Sequence, residues 1–256
     1  MELLFMKRYF IELAYNGTHY FGWQRQPGKN SVQQTLEEYM GTILGTELEI
    51  TGCGRTDTGV HAKQYFAHFD FEGEFPAEFV RRLNKFLPKD IAVFRIFEVL
   101  PDAHARFDAY QRSYEYHLSF RKNPFTEHLS YFYPYTQQPD SALMQAAAAL
   151  LLQYSEFAPF CKSNHDAKTM ICNLTRSEWV FYPEEHRAVF HITSNRFLRG
   201  MVRLIVGMCL GVGTGQISLE EVKVAMEEQS RLRKATSAPP EGLYLGGILY
   251  KTGNEN

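Results

Sequence analysis

The order of strand-like and helix-like segments restricts the fold of this chain more than any other feature. The strand segments alternate apolar and polar residues and are rich in aromatic and β-branched side chains. The first hundred residues predict strand, helix, strand, strand, helix and strand, in the segments KRYFIELAY, SVQQTLEEYMGTIL, TELEITGCG, KQYFAHFDFE, PAEFVRRLNKFL and DIAVFRIFEVL. This is the order of a ferredoxin-like βαββαβ unit. Ser31 is the predicted N-cap of the first helix, where Gln34 would complete a capping box, and Pro76 lies near the predicted start of the second.

The rest of the chain follows a similar outline. It predicts a strand, a helix, a hairpin of two strands, two helices and a closing strand, in RSYEYHLSF, DSALMQAAAALLL, SEWVFYP with RAVFHITS, NRFLRGMVRLIVGMCLG, LEEVKVAMEEQ and GLYLGGILY. We therefore expect an α+β protein of two similarly built halves, residues 1–106 and 107–256, divided near the segment PDAHARFDA.

Composition places the chain among ordinary globular proteins and argues against disorder. Hydrophobic residues make up 45% of its 256 residues and charged residues 22%. The formal net charge is −2, which does not by itself indicate a nucleic-acid-binding protein. Basic residues nevertheless cluster in RFLRGMVR and SRLRK, and acidic residues in DFEGEFPAE and LEEVKVAMEEQ, so the two signs can occupy separate surfaces.

The cysteines and histidines predict no metal site and no disulfide framework. The four cysteines form no CxxC pair, and the nine histidines show no metal-ligand spacing. Free thiols are typical of a reducing compartment. The first residues do not resemble a signal peptide, and the longest apolar run, LIVGMCLGVG, is about half of the ~20 residues that a membrane span requires. We therefore expect a cytoplasmic protein without a membrane segment.

The segment GCGRTDTGVHAK combines three glycines with Arg55, Asp57 and His61, and three interpretations of it stay open. A phosphate-binding loop would need the G-K-[S/T] or G-x-G-x-x-G pattern, which is missing. A structural turn would use Asp57 to cap backbone N–H groups. A catalytic loop would present Asp57 as a nucleophile or base, kept ionised by Arg55 and by a second arginine.

The second arginine has candidates in the segment NRFLRGMVR. On one helix Arg196, Arg199 and Arg203 would fall within about 60° of one another, on a segment that is otherwise mostly apolar. Such arginines suit a phosphate or a carboxylate, although a surface stripe of salt bridges is the alternative.

Aromatic residues offer two more candidate contacts. Tyr114 and Tyr116 share one face of a strand, either in the core or stacked on a base. In the loop after the first strand, Trp23, Arg25 and Lys29 combine an aromatic ring with positive charge, which suits stem-loop RNA. The alternative is that a buried Trp23 pins this loop.

Five segments, in order along nearly the whole chain, resemble the tRNA pseudouridine synthase A family. They are FGWQRQ followed by SVQ, GCGRTDTGVHA, HARFDAYQRSYEY, FLRGMVRLIVG and APPEGLYLGGILY. The resemblance implies the pseudouridine-synthase fold, in which two ferredoxin-like halves join across a basic catalytic cleft. It implies an isomerase that converts uridines 38 to 40 of the tRNA anticodon stem-loop to pseudouridine, acts as a homodimer and needs neither metal nor organic cofactor.

The resemblance also assigns roles to residues. Asp57 matches the family's essential aspartate, Arg203 the arginine paired with it, and Tyr114 the tyrosine that contacts the target base. Arg55 would face the RNA. The residues Trp23, Arg25, Arg106 and Arg199 are further candidate RNA contacts. The chain departs from the family pattern at Arg199-Gly200, where the family often has histidine, and PDAHARF is one residue shorter than a common form.

Two further classes of protein remain as alternatives. A non-catalytic RNA-binding module would keep the basic surface without the reaction. A nucleotide-dependent phosphotransferase would use the glycine-rich loop and a metal ion, and chelation of that metal would stop it. For the family's reaction we expect positive charge along the cleft, and the acidic side chains away from it, at Glu72, Glu74, Glu184, Glu185, Glu227 and Glu228.

Overall fold

The computed structural model describes residues 6–162 and 168–251. By internal contacts the chain forms two units. The first runs to Tyr110 and takes in the chain again from Leu245, and the second spans Gln111–Tyr244. The sequence had suggested a division between residues 106 and 107, with the closing strand in the second half. The contacts group that strand with the first unit instead.

The first unit has the predicted order of elements. These are β1 (Lys7–Tyr15), α1 (Val32–Leu44), β2 (Thr51–Gly52), β3 (His61–Phe71), α2 (Phe79–Phe86) and β4 (Ile91–Val99). Strand β1 lies between β4 and β3 and is antiparallel to both, and β2 pairs antiparallel with β3. Alternation along β1 buries Ile11 and Leu13 completely, which is why this segment was recognisable as a strand.

Helix α1 begins at the predicted cap but without the predicted capping box. The Ser31 hydroxyl accepts a hydrogen bond from the backbone N–H of Gln34 (3.2 Å). The Gln34 side chain does not return to Ser31. It donates to Glu38 (2.7 Å), one turn further along the helix. The helix ends at Gly45, whose φ of 71° is the left-handed conformation favoured by glycine.

Two other elements of this unit are shorter than predicted. Helix α2 begins at Phe79 and not near Pro76, because Glu78 before it has a φ of 55° and interrupts the helical conformation. Strand β2 keeps only Thr51 and Gly52 of the nine-residue segment. The candidate catalytic loop begins directly after β2.

The second unit packs helices against an antiparallel sheet. Its elements are β5 (Ala109–Ser119, entering from the end of the first unit), β6 (Tyr131–Phe132), α3 (Ser141–Leu150), β7 (Leu174–Tyr182), β8 (Arg187–Ser194), α4 (Met201–Gly213) and α5 (Leu219–Glu227). The strand order is β5-β8-β7, and β6 runs parallel to the end of β5. The β7–β8 hairpin is the predicted one.

The core of the second unit is apolar and tightly packed around α4. Tyr116, Phe190 and Ile205 are completely buried. A Cβ atom on Gly207 of α4 would lie 1.7 Å from the carbonyl oxygen of Thr236. Only glycine allows the segment that carries Thr236 to pass this close to the helix.

The closing strand groups mainly with the first unit. Strand β9 (Leu243–Tyr250) lies beside β3 from Leu245 onward, so the strand order of the first unit is β4-β1-β3-β9. The α+β class is confirmed. That the second unit repeats the first remains a prediction. Among residues 6–162 and 168–251, no helix is long and apolar enough to cross a membrane.

Candidate active site

The loop between β2 and β3 is held by the strands at its two ends. The backbone N–H of Cys53 donates to the Phe66 carbonyl on β3 (2.9 Å). The buried Tyr65 hydroxyl donates to the Gly54 carbonyl. Burial raises the pKa of Tyr65 well above its usual value, so the hydroxyl stays protonated and remains a donor. The start of the loop is therefore fixed to the sheet.

The turn that contains Asp57 is fixed by a hydroxyl pair and a backbone hydrogen bond. The Tyr15 and Thr56 hydroxyls lie 2.9 Å apart. The N–H of Val60 donates to the carbonyl of Asp57 (3.2 Å), so residues 57–60 form a closed turn. Asp57 itself is half-buried and Arg55 is exposed. A partly exposed carboxylate on a fixed backbone is what a nucleophile or base needs.

The segment before α1 packs directly on this turn. A Cβ atom on Gly22, whose φ is 81°, would lie 2.2 Å from the Thr56 carbonyl oxygen and 3.2 Å from the carbonyl carbon of Asp57. The N–H of Gly59 donates to the Tyr20 carbonyl (3.3 Å). Sequence reasoning missed Gly22 as a positioning residue, although it lies in the motif FGWQRQ, because only the structure shows what its missing side chain makes room for.

Trp23 supports the loop from inside the protein. Its side chain is 2% exposed, and its ring stacks on Tyr65 with centroids 4.0 Å apart. A Cβ atom on Gly52 would lie 2.4 Å from the indole nitrogen. The expectation of an RNA contact by Trp23 is therefore wrong, because the ring is enclosed by the core. The alternative, a buried tryptophan that pins the loop, is the observed arrangement.

Arg25 remains on the surface beside Trp23. Its side chain is 55% exposed and pairs with the buried carboxylate of Glu37 at 3.0 Å. Glu37 also accepts hydrogen bonds from the Gln33 side chain and from the N–H of Ile50, each at 3.0 Å. Arg25 is thus anchored in one position with part of its guanidinium accessible, which is compatible with an anionic ligand.

In the second unit, Tyr114 and Tyr116 have different environments although they share one face of β5. Tyr116 is completely buried and donates to the Pro239 carbonyl (2.9 Å). Tyr114 is half-buried, and its ring meets that of Phe197 edge to face with centroids 5.0 Å apart. Of the two, Tyr114 is the one with accessible ring surface for a ligand.

Arg203 is oriented by the same segment that binds Tyr116. Its Nε donates to the Ala238 carbonyl (2.6 Å), and the N–H of Ala238 donates to the Arg203 carbonyl (2.9 Å). Arg203 lies in the first turn of α4. Two consecutive carbonyls, those of Ala238 and Pro239, thus accept hydrogen bonds from Arg203 and from the buried Tyr116.

The predicted row of three arginines on one helix is wrong. Helix α4 begins at Met201, because Gly200 before it has a φ of 71° and ends the preceding turn. Arg196 and Arg199 therefore lie in the connection before the helix. Arg199 is exposed, and its backbone carbonyl accepts from Lys162 (3.1 Å). The helical spacing argument accordingly applies to Arg203 alone.

Arg106 lies in the first unit, in the loop between β4 and β5. It is exposed, and its guanidinium carbon lies 5.7 Å from the centroid of the Phe107 ring. It is on the surface, as an RNA contact requires.

Titratable groups near these residues show no arrangement for a metal. Within residues 6–162 and 168–251, no group of three or more His, Cys, Asp or Glu side chains could hold a metal ion. The four cysteines are free thiols. Burial raises the pKa of Cys209 to about 12 and that of Cys172 to about 11, which keeps both thiols protonated and unreactive.

Comparison with known proteins gives one consistent result. A family model described as tRNA pseudouridine synthase matches residues 13–108 and 147–251. The chain is 46% identical over 248 residues to the tRNA pseudouridine synthase A of Porphyromonas gingivalis, which covers 96% of this chain and 98% of that protein. Identity is 44% over 248 residues to the protein of the same name from Bacteroides fragilis, covering 96% and 97%. It is 35% over 248 residues to that from Caldicellulosiruptor bescii, covering 96% and 100%.

One solved structure that the chain matches is only distantly similar. A chain from an H/ACA RNP bound to a substrate RNA containing 2′-deoxyuridine is 8% identical, with a TM-score of 0.29, covering 92% of this chain and 68% of that one. This likeness is too low to inform the fold or the function.

Proposed function

The chain belongs to the tRNA pseudouridine synthase family and is an isomerase, and from this premise we propose that it converts uridines 38 to 40 of the tRNA anticodon stem-loop to pseudouridine. The reaction breaks the N1–C1′ glycosidic bond, turns the uracil and forms a C5–C1′ bond. The hydrogen on C5 leaves as a proton and N1 gains one, so atoms and electrons balance without an oxidant or reductant. We accordingly expect no metal or organic cofactor.

The observation that carries this proposal is the fixed loop around Asp57. Its backbone is tied to β3 and to Tyr20, and its Thr56 hydroxyl lies 2.9 Å from that of Tyr15, while Asp57 itself is half-buried. When the N1–C1′ bond breaks, C1′ becomes electron-deficient, and a carboxylate held at this point can stabilise or trap it. We assign Asp57 as the nucleophile.

Two residues of the second unit complete the proposed machinery. Tyr114 would stack on the target uracil and assist removal of the C5 proton, and its half-buried ring supports this role. Arg203 would pair with Asp57 and orient its carboxylate. In support, its Nε is already oriented by the Ala238 carbonyl (2.6 Å). The first unit would thus carry the catalytic loop, and the second would complete the site.

Substrate binding is assigned to arginines on the surface. The target base must leave the helical stack before it can react. Arg55, exposed in the catalytic loop, is assigned to this step, and Arg25, Arg106 and Arg199 to the RNA backbone. A homodimer in the cytoplasm, with one tRNA contacting both subunits across basic surfaces, is part of the same proposal.

Mapping of the modified positions tests this assignment. An unmodified tRNA transcript with uridines at 38, 39 and 40 would be incubated with the protein, treated with carbodiimide and read by primer extension, which stops at pseudouridine. Stops at these three positions, absent with Asp57→Asn, are expected. Stops elsewhere in the transcript would contradict the proposed positions, and equal stops with Asp57→Asn would contradict the assigned nucleophile.

Exchange of Arg203 tests its pairing role. Arg203→Ala should lower kcat much more than it weakens tRNA binding, because the Asp57 carboxylate would lose the partner proposed to orient it. Turnover near the wild-type rate would remove Arg203 from the machinery.

A further inference from the structure

The loop between β4 and β5 is held at three backbone positions. The Arg8 guanidinium donates to the Ala103 carbonyl (3.1 Å). The N–H of Ala105 donates to Nδ1 of the buried His68 (3.2 Å). The Tyr250 hydroxyl donates to the Ala105 carbonyl (2.6 Å). These partners lie on β1, β3 and β9, so the loop is fixed to three strands of the first unit.

Hydrogen bonds within the loop close it into a compact turn. The N–H of His104 donates to the Asp108 carboxylate (2.7 Å), and the N–H of Asp108 donates back to the His104 carbonyl (3.1 Å). The N–H of Arg106 donates to Nδ1 of His104 (3.1 Å). The residues at the tip, Arg106 and Phe107, are therefore presented by a backbone that is already ordered.

Three aromatic rings lie in series from the core to the tip of this loop. The centroids of His68 and His104 are 4.5 Å apart, and those of His104 and Phe107 are 4.2 Å apart. Burial, followed by the charge of His104, lowers the pKa of His68 to about 4, and burial lowers that of His104. Both imidazoles are thus neutral near pH 7 and can pack without charge repulsion.

The outer end of this series is exposed. Phe107 is 73% exposed. Its position is notable because moving a phenylalanine side chain out of water is favourable. The Arg106 guanidinium carbon lies 5.7 Å from its centroid. An ordered ring next to a positive charge combines the two features with which proteins bind unpaired nucleotides, a stacking surface and a phosphate contact.

We propose that Phe107 is a stacking platform for an unpaired base of the tRNA substrate, and that Arg106 contacts an adjacent phosphate. This rests on the proposed function for the identity of the RNA. The ligand class is a single-stranded pyrimidine or purine nucleotide of a loop, since every base has a face that stacks on an aromatic ring. An ordered loop loses little conformational entropy when it binds, which favours a contact made by only two side chains.

Equilibrium binding of an unmodified tRNA transcript to the full chain tests the platform. Base–aromatic stacking of ordinary strength predicts that Phe107→Ala and Phe107→Leu raise Kd roughly 5-fold to 100-fold. Phe107→Tyr keeps the ring face and should stay within about twofold of the wild type. Phe94→Ala is the matched control, because Phe94 is also a largely exposed phenylalanine (55%) of the first unit, and it should bind like the wild type.

The salt dependence separates the two side chains. Arg106→Gln should reduce the slope of log K against log salt by about 0.7, the value for one phosphate contact on a single strand. Phe107→Ala should leave this slope unchanged. The proposal is overturned if Phe107→Ala binds within twofold of the wild type, or if Phe107→Leu binds as well as Phe107→Tyr.

Two further measurements distinguish the platform from a dimer interface and from failure of the proposed function. Light scattering gives the mass of the Phe107→Ala protein, and a mass that differs from the wild type would assign the ring to an interface with a second copy of this chain and overturn the proposal. Formation of pseudouridine by the wild type tests the proposed function independently. Weaker tRNA binding by Phe107→Ala would support the platform even if the wild type formed no pseudouridine.

Discussion

Replacement of Gly22 by alanine should misplace the proposed catalytic loop, since this glycine lies against the peptide that joins Thr56 to Asp57. Its φ is 81°, and an added Cβ would lie 2.2 Å from the Thr56 carbonyl oxygen. That is more than 1 Å shorter than ordinary contact, which begins at 3.4 Å. The contact is with backbone and not with a flexible side chain. Either the Gly22 segment or the loop must therefore move.

The expected magnitudes follow from these two features. A side chain at a left-handed φ costs roughly 1–2 kcal/mol, and displacement of packed backbone adds to this, so the free energy of unfolding should fall by about 2–4 kcal/mol. A displacement of about 1 Å at a reacting group lowers the rate roughly 100-fold. We therefore expect kcat to fall about 100-fold while tRNA still binds, since the arginines proposed to contact RNA are unchanged.

Gly45 provides the matched control. Its φ of 71° is nearly the same, but nothing lies within 4 Å of an added Cβ. Gly45→Ala should thus carry only the cost of the left-handed conformation, roughly 1–2 kcal/mol, with kcat near the wild-type value. Denaturant unfolding and steady-state release of the uridine C5 hydrogen measure the two effects on both variants.

Two results would contradict the proposed role of Gly22. If Gly22→Ala and Gly45→Ala lose the same stability and the same activity, then the contact with the Asp57 peptide does not position the loop. Loss of tRNA binding in proportion to kcat would also contradict it, because the change would then act on the RNA surface and not on the carboxylate.

Three other predictions follow. Tyr116→Phe should lower the free energy of unfolding by about 1–2 kcal/mol, because it leaves the Pro239 carbonyl without its donor. Tyr114→Phe should instead lower turnover more than stability or tRNA affinity. Denaturant unfolding and steady-state kinetics on both variants distinguish the two effects. The pKa of His68 is about 4 in the folded protein and ~6.5 in the unfolded chain, so the free energy of unfolding should fall by about 2 kcal/mol as the pH is lowered from 6.5 to 4.5. This loss should be absent in His68→Gln. Equal pH profiles of stability for the two proteins would refute it. Chelation with EDTA should leave turnover unchanged, and lost activity that returns with a divalent cation would contradict a cofactor-free reaction.

Much of the fold could be predicted because local residue patterns indicate most of its helices and strands. The segments that form β1, β3, β4 and β8 are rich in aromatic and β-branched residues, which favours strands, and alternate residues of β1 from Ile11 to Tyr15 are buried. The N-cap at Ser31 was likewise readable from residue type. The capping box was not, because Gln34 has a competing partner in Glu38, four residues further along the helix.

The candidate site was less predictable, because close approaches depend on the tertiary structure. Trp23 lies in a polar stretch of sequence, which suggested an exposed ring. The sequence does not show that Gly52, which has no side chain, leaves room for the Trp23 ring in the core. The left-handed Gly200 moved Arg196 and Arg199 off the predicted helix. Periodicity alone does not show whether a glycine interrupts a helix or lies within it. Asp57 and Arg203 were assigned by resemblance to the family's motifs, and their roles remain predictions.

Release of tritium from tRNA labelled at uridine C5 tests the central claim most directly, because forming the C5–C1′ bond expels that hydrogen. Wild type and Asp57→Asn would be compared without added metal or nucleotide, with tRNA binding measured on both. Our account predicts release by the wild type, none by Asp57→Asn, and tRNA binding by both. Undiminished release by Asp57→Asn would contradict the assignment of the catalytic carboxylate, and tRNA binding without release by the wild type would identify an RNA-binding protein that lacks the reaction.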